Sequence, residues 1–272
     1  MNIRSEGDTK MLLSRVFALV ECSLFLGTFF VSAWYFEMIQ GTETYGFYSK
    51  LIMILLGFIG ILVHGKPREY GLAPKNLKFS LKWSLYIFLL FIGLGSIAIL
   101  LTILFIRDNL RFDFGMLIVD FIWYFIFVGF AEELFFRGFI QSRLNEVFTG
   151  KYKKIIGIEF EWSRGTLITA IFFFGLPHLL VLINPFTDRA QFSVFILIMS
   201  FVFAPFLGII FGVLREKTGS IIVPAVLHAM IDFVGFGVGR ITGMMISNIV
   251  VAVALFIFFA FFFEKILKSE PK

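Results

Sequence analysis

Residues Ala131 to Phe139 read AEELFFRGF and lie inside an apolar run, about residues 116 to 142, that is long enough to cross a bilayer. Two carboxylates and an arginine at that depth each cost of order 2.5 to 3.5 kcal/mol before pairing, so such a run marks a functional site by default. The spacing divides their roles. Glu133 and Arg137 are four apart and share a helix face, so they can pair, whereas Glu132 is turned about 100° away and is left to face another group.

The surrounding sequence requires a membrane. The 272 residues are 59 % hydrophobic and 16 % charged, with 40 Phe, far from the composition of a soluble globular chain. No polar segment reaches the roughly 50 residues of the smallest domains. Apolar runs fall at about 16–36, 47–64, 83–106, 116–142, 165–184, 192–214, 220–238 and 241–263. The expected fold is an all-α, polytopic integral membrane helical bundle of about eight transmembrane helices. It is expected as one membrane-embedded domain over 1–272, with a motif-bearing core at about 115–240. The first run is too long for a signal peptide and reads as an anchor. The seventh is the least hydrophobic and almost touches the eighth, so a seven-span bundle or a broken helix there is the alternative.

Basic residues set the orientation. With the N-terminus inside, 18 of the 24 Lys and Arg fall in cytoplasmic segments, among them Arg15, Lys66, Arg143 and Lys265. The outer segments hold Lys50, Arg107, Arg111, Arg189 and Arg240. This bias predicts a multi-pass protein with both termini cytoplasmic, and the short loops favour a prokaryotic cell membrane. It also explains the net charge of +5 without nucleic acid. The single Cys22 can form no internal disulfide. Gly208/Gly212 and Gly235/Gly239 have the small-xxx-small spacing that brings helices together.

Three histidines complete the reactive inventory. His64 ends the second run and reads as interfacial. His178 follows Pro177, and His228 follows Pro224 by one turn, both within apolar runs where ionisable groups usually face a cavity. Asp232 is four residues after His228 and shares its face, within hydrogen-bonding reach. Measured from the cytoplasmic ends at 1.5 Å per residue, Glu132, His178 and His228 lie roughly 15, 20 and 12 Å deep. They can converge on one cavity in the cytoplasmic half. A carboxylate and two imidazoles in a low-dielectric pocket suit hydrolysis: the carboxylate as base for a water, an imidazole to share its proton, the other to donate to a tetrahedral oxyanion.

EELFFR matches the motif EExxxR, Phe174 to His178 matches FxxxH, and His228 to Asp232 matches HxxxN/D, in that order on separate runs. The chain thereby resembles the CAAX protease and bacteriocin-processing (Abi) family, which includes the type II CAAX prenyl endopeptidases. The resemblance covers about residues 115 to 240, with an echo in REYGL at Arg68 to Leu72. It implies an intramembrane glutamate-dependent endopeptidase with no metal or cofactor, acting on a peptide or protein substrate with a prenylated C-terminus or a related one. By the family's pattern Glu132 and His178 would activate water, and His228 with Asp232 would form or support the oxyanion hole. Glu133, Arg137 and Phe174 would shape the site. Prenyl proteases usually carry Asn where this chain has Asp232, and an ionised Asp cannot donate to an oxyanion. Either Asp232 is protonated, or it orients His228 and favours its imidazolium.

Other functions use the same residues. A zinc protease would take Glu132, His178 and His228 as ligands, although HExxH is absent. A non-enzymatic immunity factor or scaffold would bind a partner through the cavity. A proton-coupled transporter is disfavoured because the polar groups cluster at one depth.

Overall fold

The computed structural model describes residues 3–41, 46–105, 113–187, 189–190 and 194–270. Among these residues, seven helices are long and apolar enough to cross a membrane. They are α1 (Ile3–Gln40), α2 (Phe47–His64), α3 (Leu77–Phe105), α4 (Phe114–Val147), α6 (Met199–Thr218), α7 (Ile222–Thr242) and α8 (Met244–Lys268). The fifth expected span is shorter than predicted: α5 (Arg164–Leu180) is no full-length helix, because Pro177 disrupts it and the backbone tightens into 3₁₀ turns from Leu176. Eight full spans are therefore not found among the described residues. The expected join between the last two runs is a sharp break at Gly243, whose φ of 88° only glycine adopts easily. Arg107, Arg111 and Lys272, and the first residues of the sixth expected span, lie outside the described residues.

The protein is a multi-pass integral membrane protein, and its side chains are sorted accordingly. Large apolar groups such as Leu62, Val63, Phe105 and Phe256 are exposed on the outside of the bundle. Lipid tails are as apolar as these side chains, so close packing and internal polar bonds hold the helices instead. Small residues allow the approach. A Cβ at Gly129 of α4 would stand 2.7 Å from the Ala225 carbonyl oxygen and the Ala229 Cβ of α7. One at Gly208 of α6 would meet the Phe174 ring and Ala170 of α5 at 3.0 and 3.1 Å.

Helix α4 starts at Asp113, whose carboxylate accepts from the Gly115 and Met116 N–H groups at 2.8 and 3.1 Å. Its backbone then widens into π-helical turns over Trp123–Phe130 and again over Glu133–Ile140, the kind of irregularity that often accompanies functional sites. Ala131 and Glu132 occupy the α-helical turn between them.

One end of the bundle carries most of the remaining polar structure. The segment after α4, read from sequence as loop, is a β-hairpin of β1 (Lys151–Ile155) and β2 (Ile158–Ser163). Glu216 of α6 holds it by accepting from the Ser163 N–H and hydroxyl at 3.1 Å each. Arg143, expected in that loop, stays inside α4 and donates to Glu21 of α1 at 2.7 Å. Glu21 also holds His64 at 2.7 Å, so His64 is tied into an ion-pair network rather than merely interfacial. Glu146 extends the network to Lys66 at 3.1 Å and to the Tyr70 hydroxyl at 3.3 Å. Burial first, then the Glu146 carboxylate, push the Tyr70 phenol above its ordinary pKa and keep it a neutral donor. Arg15 of α1 donates to the Val147 carbonyl at 3.2 Å, and the last turn of α8 packs on β2, so the N- and C-terminal helices share this end.

Candidate active site

The close approach at Gly129 puts α7 beside α4, and one turn later the charged residues meet. Arg137 and Glu133 pair as the spacing predicts, with Nη1 donating to Oε1 at 2.9 Å and both side chains fully buried. Arg137 also donates through Nη2 to the Gly208 carbonyl at 3.3 Å, tying α4 to α6. Its guanidinium lies 4.0 Å above the Phe174 ring centroid, a stacked cation–π contact. The same Phe174 ring also contacts the two histidines, with its centroid 4.9 Å from that of His178 and 5.9 Å from that of His228.

His228 is surrounded by carboxylates. Its Nδ1 donates to Glu133 Oε1 at 2.8 Å, and a carboxylate can only accept, so this bond sets the tautomer. Its Nε2 faces Glu132 Oε2 at 3.7 Å and Asp232 Oδ2 at 3.5 Å. The expected hydrogen bond between His228 and Asp232 is therefore an ion-pair contact, too long for a direct bond of normal strength. Phe211 of α6 stacks on the imidazole, 4.9 Å away and tilted by 17°.

His178 is oriented by its own helix. Nδ1 donates to the Phe174 carbonyl four residues back at 2.6 Å, which leaves Nε2 as the nitrogen able to accept a proton in the neutral ring. The FxxxH spacing also sets the Phe174 ring against the imidazole on the same face.

All of the expected catalytic residues line one cavity of about 520 Å³: Glu132 from α4, His178 from α5, and His228 and Asp232 from α7. The remaining wall is mostly apolar and comes mainly from α6, α7 and α8, with Phe203, Leu207, Phe236 and Val251 among its residues and Phe174 of α5 beside them. Helix α4 continues to Val147, five residues past its expected end, so Glu132 sits about 22 Å from that end rather than the expected 15 Å. The convergence survives this correction.

Glu132 faces a partner that the sequence reading misplaced. Lys50, counted among the outer-loop residues, is the fourth residue of α2, is buried, and holds Glu132 Oε1 at 2.5 Å. The only sequence signal was its position just inside an apolar run. Asn248 of α8 was also missed; it lines the same cavity. Among the described residues, no three His, Cys, Asp or Glu side chains come together as a metal ion's ligands would.

Comparison with known proteins agrees with the motifs. Residues 114–234 match the family model described as type II CAAX prenyl endopeptidase Rce1-like. These residues are similar to that family. No curated protein and no solved structure matches the chain. The matched stretch runs from the start of α4 into α7 and contains Glu132, Glu133, Arg137, Phe174, His178, His228 and Asp232. Lys50 and Asn248 lie outside it.

Proposed function

We propose that the protein is an intramembrane, glutamate-dependent endopeptidase that hydrolyses a CAAX-type or related peptide. The observation that carries this reading is the setting of His228, with Glu133 on one nitrogen and Glu132 and Asp232 near the other, across one cavity from His178. Its 520 Å³ and mostly apolar wall suit an extended peptide with a lipid-like group.

In this mechanism a water lies against Glu132 Oε2 and attacks the scissile carbonyl. Oε2 and the Nε2 of His228 are 3.7 Å apart, so a water at about 2.8 Å from each can touch both. Its proton passes to Glu132, with the accepting Nε2 of His178 as the second base. When His228 carries a proton on Nε2, that N–H donates to the oxyanion of the tetrahedral intermediate. The proton held by Glu132 or His178 then goes to the leaving amine. No step in this mechanism is routed through a metal. We infer the polar end with the hairpin to be cytoplasmic, together with both termini, in a prokaryotic cell membrane.

Mass spectrometry of the products tests the substrate. Purified protein in lipid nanodiscs is incubated with a farnesylated CAAX peptide and with its unprenylated counterpart. Release of the C-terminal tripeptide from the farnesylated form is expected. Cleavage of the bare peptide alone would keep the peptidase and reject prenyl recognition; intact peptides in both would favour a binding role.

A further inference from the structure

The motifs assign nothing to α2, yet α2 supplies the residue nearest the expected base. Lys50 Nζ lies 2.5 Å from Glu132 Oε1, and the lysine side chain is only 6 % exposed. Glu132 lines the cavity and Lys50 does not, so the ammonium sits behind the carboxylate. The two oxygens are thereby made different: Oε1 is held from behind, and Oε2 is turned toward His228 at 3.7 Å.

Charge balance gives the arrangement its purpose. Three carboxylates, Glu132, Glu133 and Asp232, stand within 3.7 Å of His228. Arg137 is the counter-ion of Glu133. Burying a carboxylate with no counter-ion costs several kcal/mol, and Lys50 is the cation that meets Glu132. Packing alone does not call for a lysine here. Elsewhere α2 meets α4 through small and apolar groups, as where a Cβ added at Gly57 would stand 3.0 Å from the Leu134 side chain.

We propose that Lys50 is a positioning residue for the hydrolytic reaction: it clamps Oε1 of Glu132 so that Oε2 is the oxygen offered to the water. This rests on the glutamate-peptidase reading above. It adds to the site a residue from α2, 82 positions away in sequence. Lys50 touches neither water nor substrate; it acts through Glu132.

The test compares the wild type with Lys50→Met, Lys50→Arg, Glu132→Gln and the Lys50→Met/Glu132→Gln double variant in nanodiscs. Each is measured for kcat and KM on the farnesylated peptide and for thermal unfolding. Misplacing a reacting group by about 1 Å costs on the order of 100-fold, so Lys50→Met is expected to lose about that in kcat with KM nearly unchanged. Lys50→Arg, which keeps the charge, is expected to recover at least a tenth of the wild-type kcat. Lys50→Met is also expected to lower the unfolding temperature of the wild type but not of Glu132→Gln, where the charge it neutralises is gone. Wild-type kcat in a folded Lys50→Met protein would overturn the proposal. So would equal losses in the Met and Arg variants, or an equal fall in unfolding temperature in both backgrounds. A wild type that cleaves no peptide would defeat the peptidase reading and this role with it, while the unfolding comparison still reports on the ion pair.

Discussion

His228 donates its Nδ1–H to Glu133 Oε1 at 2.8 Å, and the same oxygen accepts from Arg137 at 2.9 Å. One buried carboxylate thus fixes the imidazole's tautomer and neutralises a guanidinium. Glu133→Ala is expected to leave Arg137 without its counter-ion and the Nδ1–H of His228 without its acceptor. Breaking a buried pair costs about 3 to 5 kcal/mol, so the variant should unfold at a clearly lower temperature in detergent. Its folded fraction should lose about 100-fold in kcat, because His228 is free to turn. Thermal unfolding alongside kcat per folded protein checks both parts. Wild-type stability in this variant would mean that Arg137 finds another anion.

Gly129 tests the packing that creates the site. A methyl there meets the Ala225 carbonyl oxygen and the Ala229 Cβ at 2.7 Å, and neither backbone nor methyl can swing away. Gly129→Ala is expected to destabilise by about 1 to 3 kcal/mol as α4 and α7 separate. It should also cost activity beyond that, since Glu133 lies one turn further along α4 and His228 lies between Ala225 and Ala229. Melting curves and kcat on the same preparation separate the two effects. A variant that melts normally and cleaves normally would show that the helices do not need this approach.

Asp232 departs from the residue usual in prenyl proteases, and its place explains why either can serve. Its Oδ2 is 3.5 Å from His228 Nε2, near enough to orient the ring but too far to claim its proton in a direct bond. Asp232→Asn keeps the shape and one acceptor and adds an amide donor, so it is expected to stay within about tenfold of wild type. Asp232→Leu removes every polar contact and is expected to lose about 100-fold. Steady-state kinetics on the farnesylated peptide decide it; equal activity in the Asn and Leu variants would remove Asp232 from the site.

Much of this site was legible in the sequence because charge inside a membrane span is rare and periodicity places it. The i,i+4 spacing predicted the Glu133–Arg137 pair, and simple depth counting brought Glu132, His178 and His228 together although α4 runs five residues longer than expected. Partners distant in sequence were not legible. Lys50 meets Glu132 only because α2 packs against α4, and the positive-inside count placed it in an outer loop. Arg143 was set in a loop for the same reason, since nothing local shows that Glu21 holds it inside the helix. The hairpin had a signal that a membrane reading overlooks. IEFEW alternates with period two, and Ile156 and Gly157 form a two-residue turn with φ of 48° and 78°. The fifth span faded because Pro177 disturbs the hydrogen-bond ladder where the apolar run continues unbroken.

The central claim is that Glu132, without a metal, activates the water. Glu132→Gln keeps the size of the side chain and removes its ability to take a proton, so the decisive measurement is the single-turnover rate of farnesylated-peptide cleavage by this variant and by the wild type. Each is run with and without a zinc chelator. General-base assistance contributes typically 10²- to 10⁴-fold, so a loss of at least 100-fold in Glu132→Gln is predicted, together with a wild-type rate that the chelator leaves unchanged. A wild-type rate abolished by the chelator and restored by added zinc, or a Glu132→Gln variant that cleaves as fast as the wild type, would contradict the account.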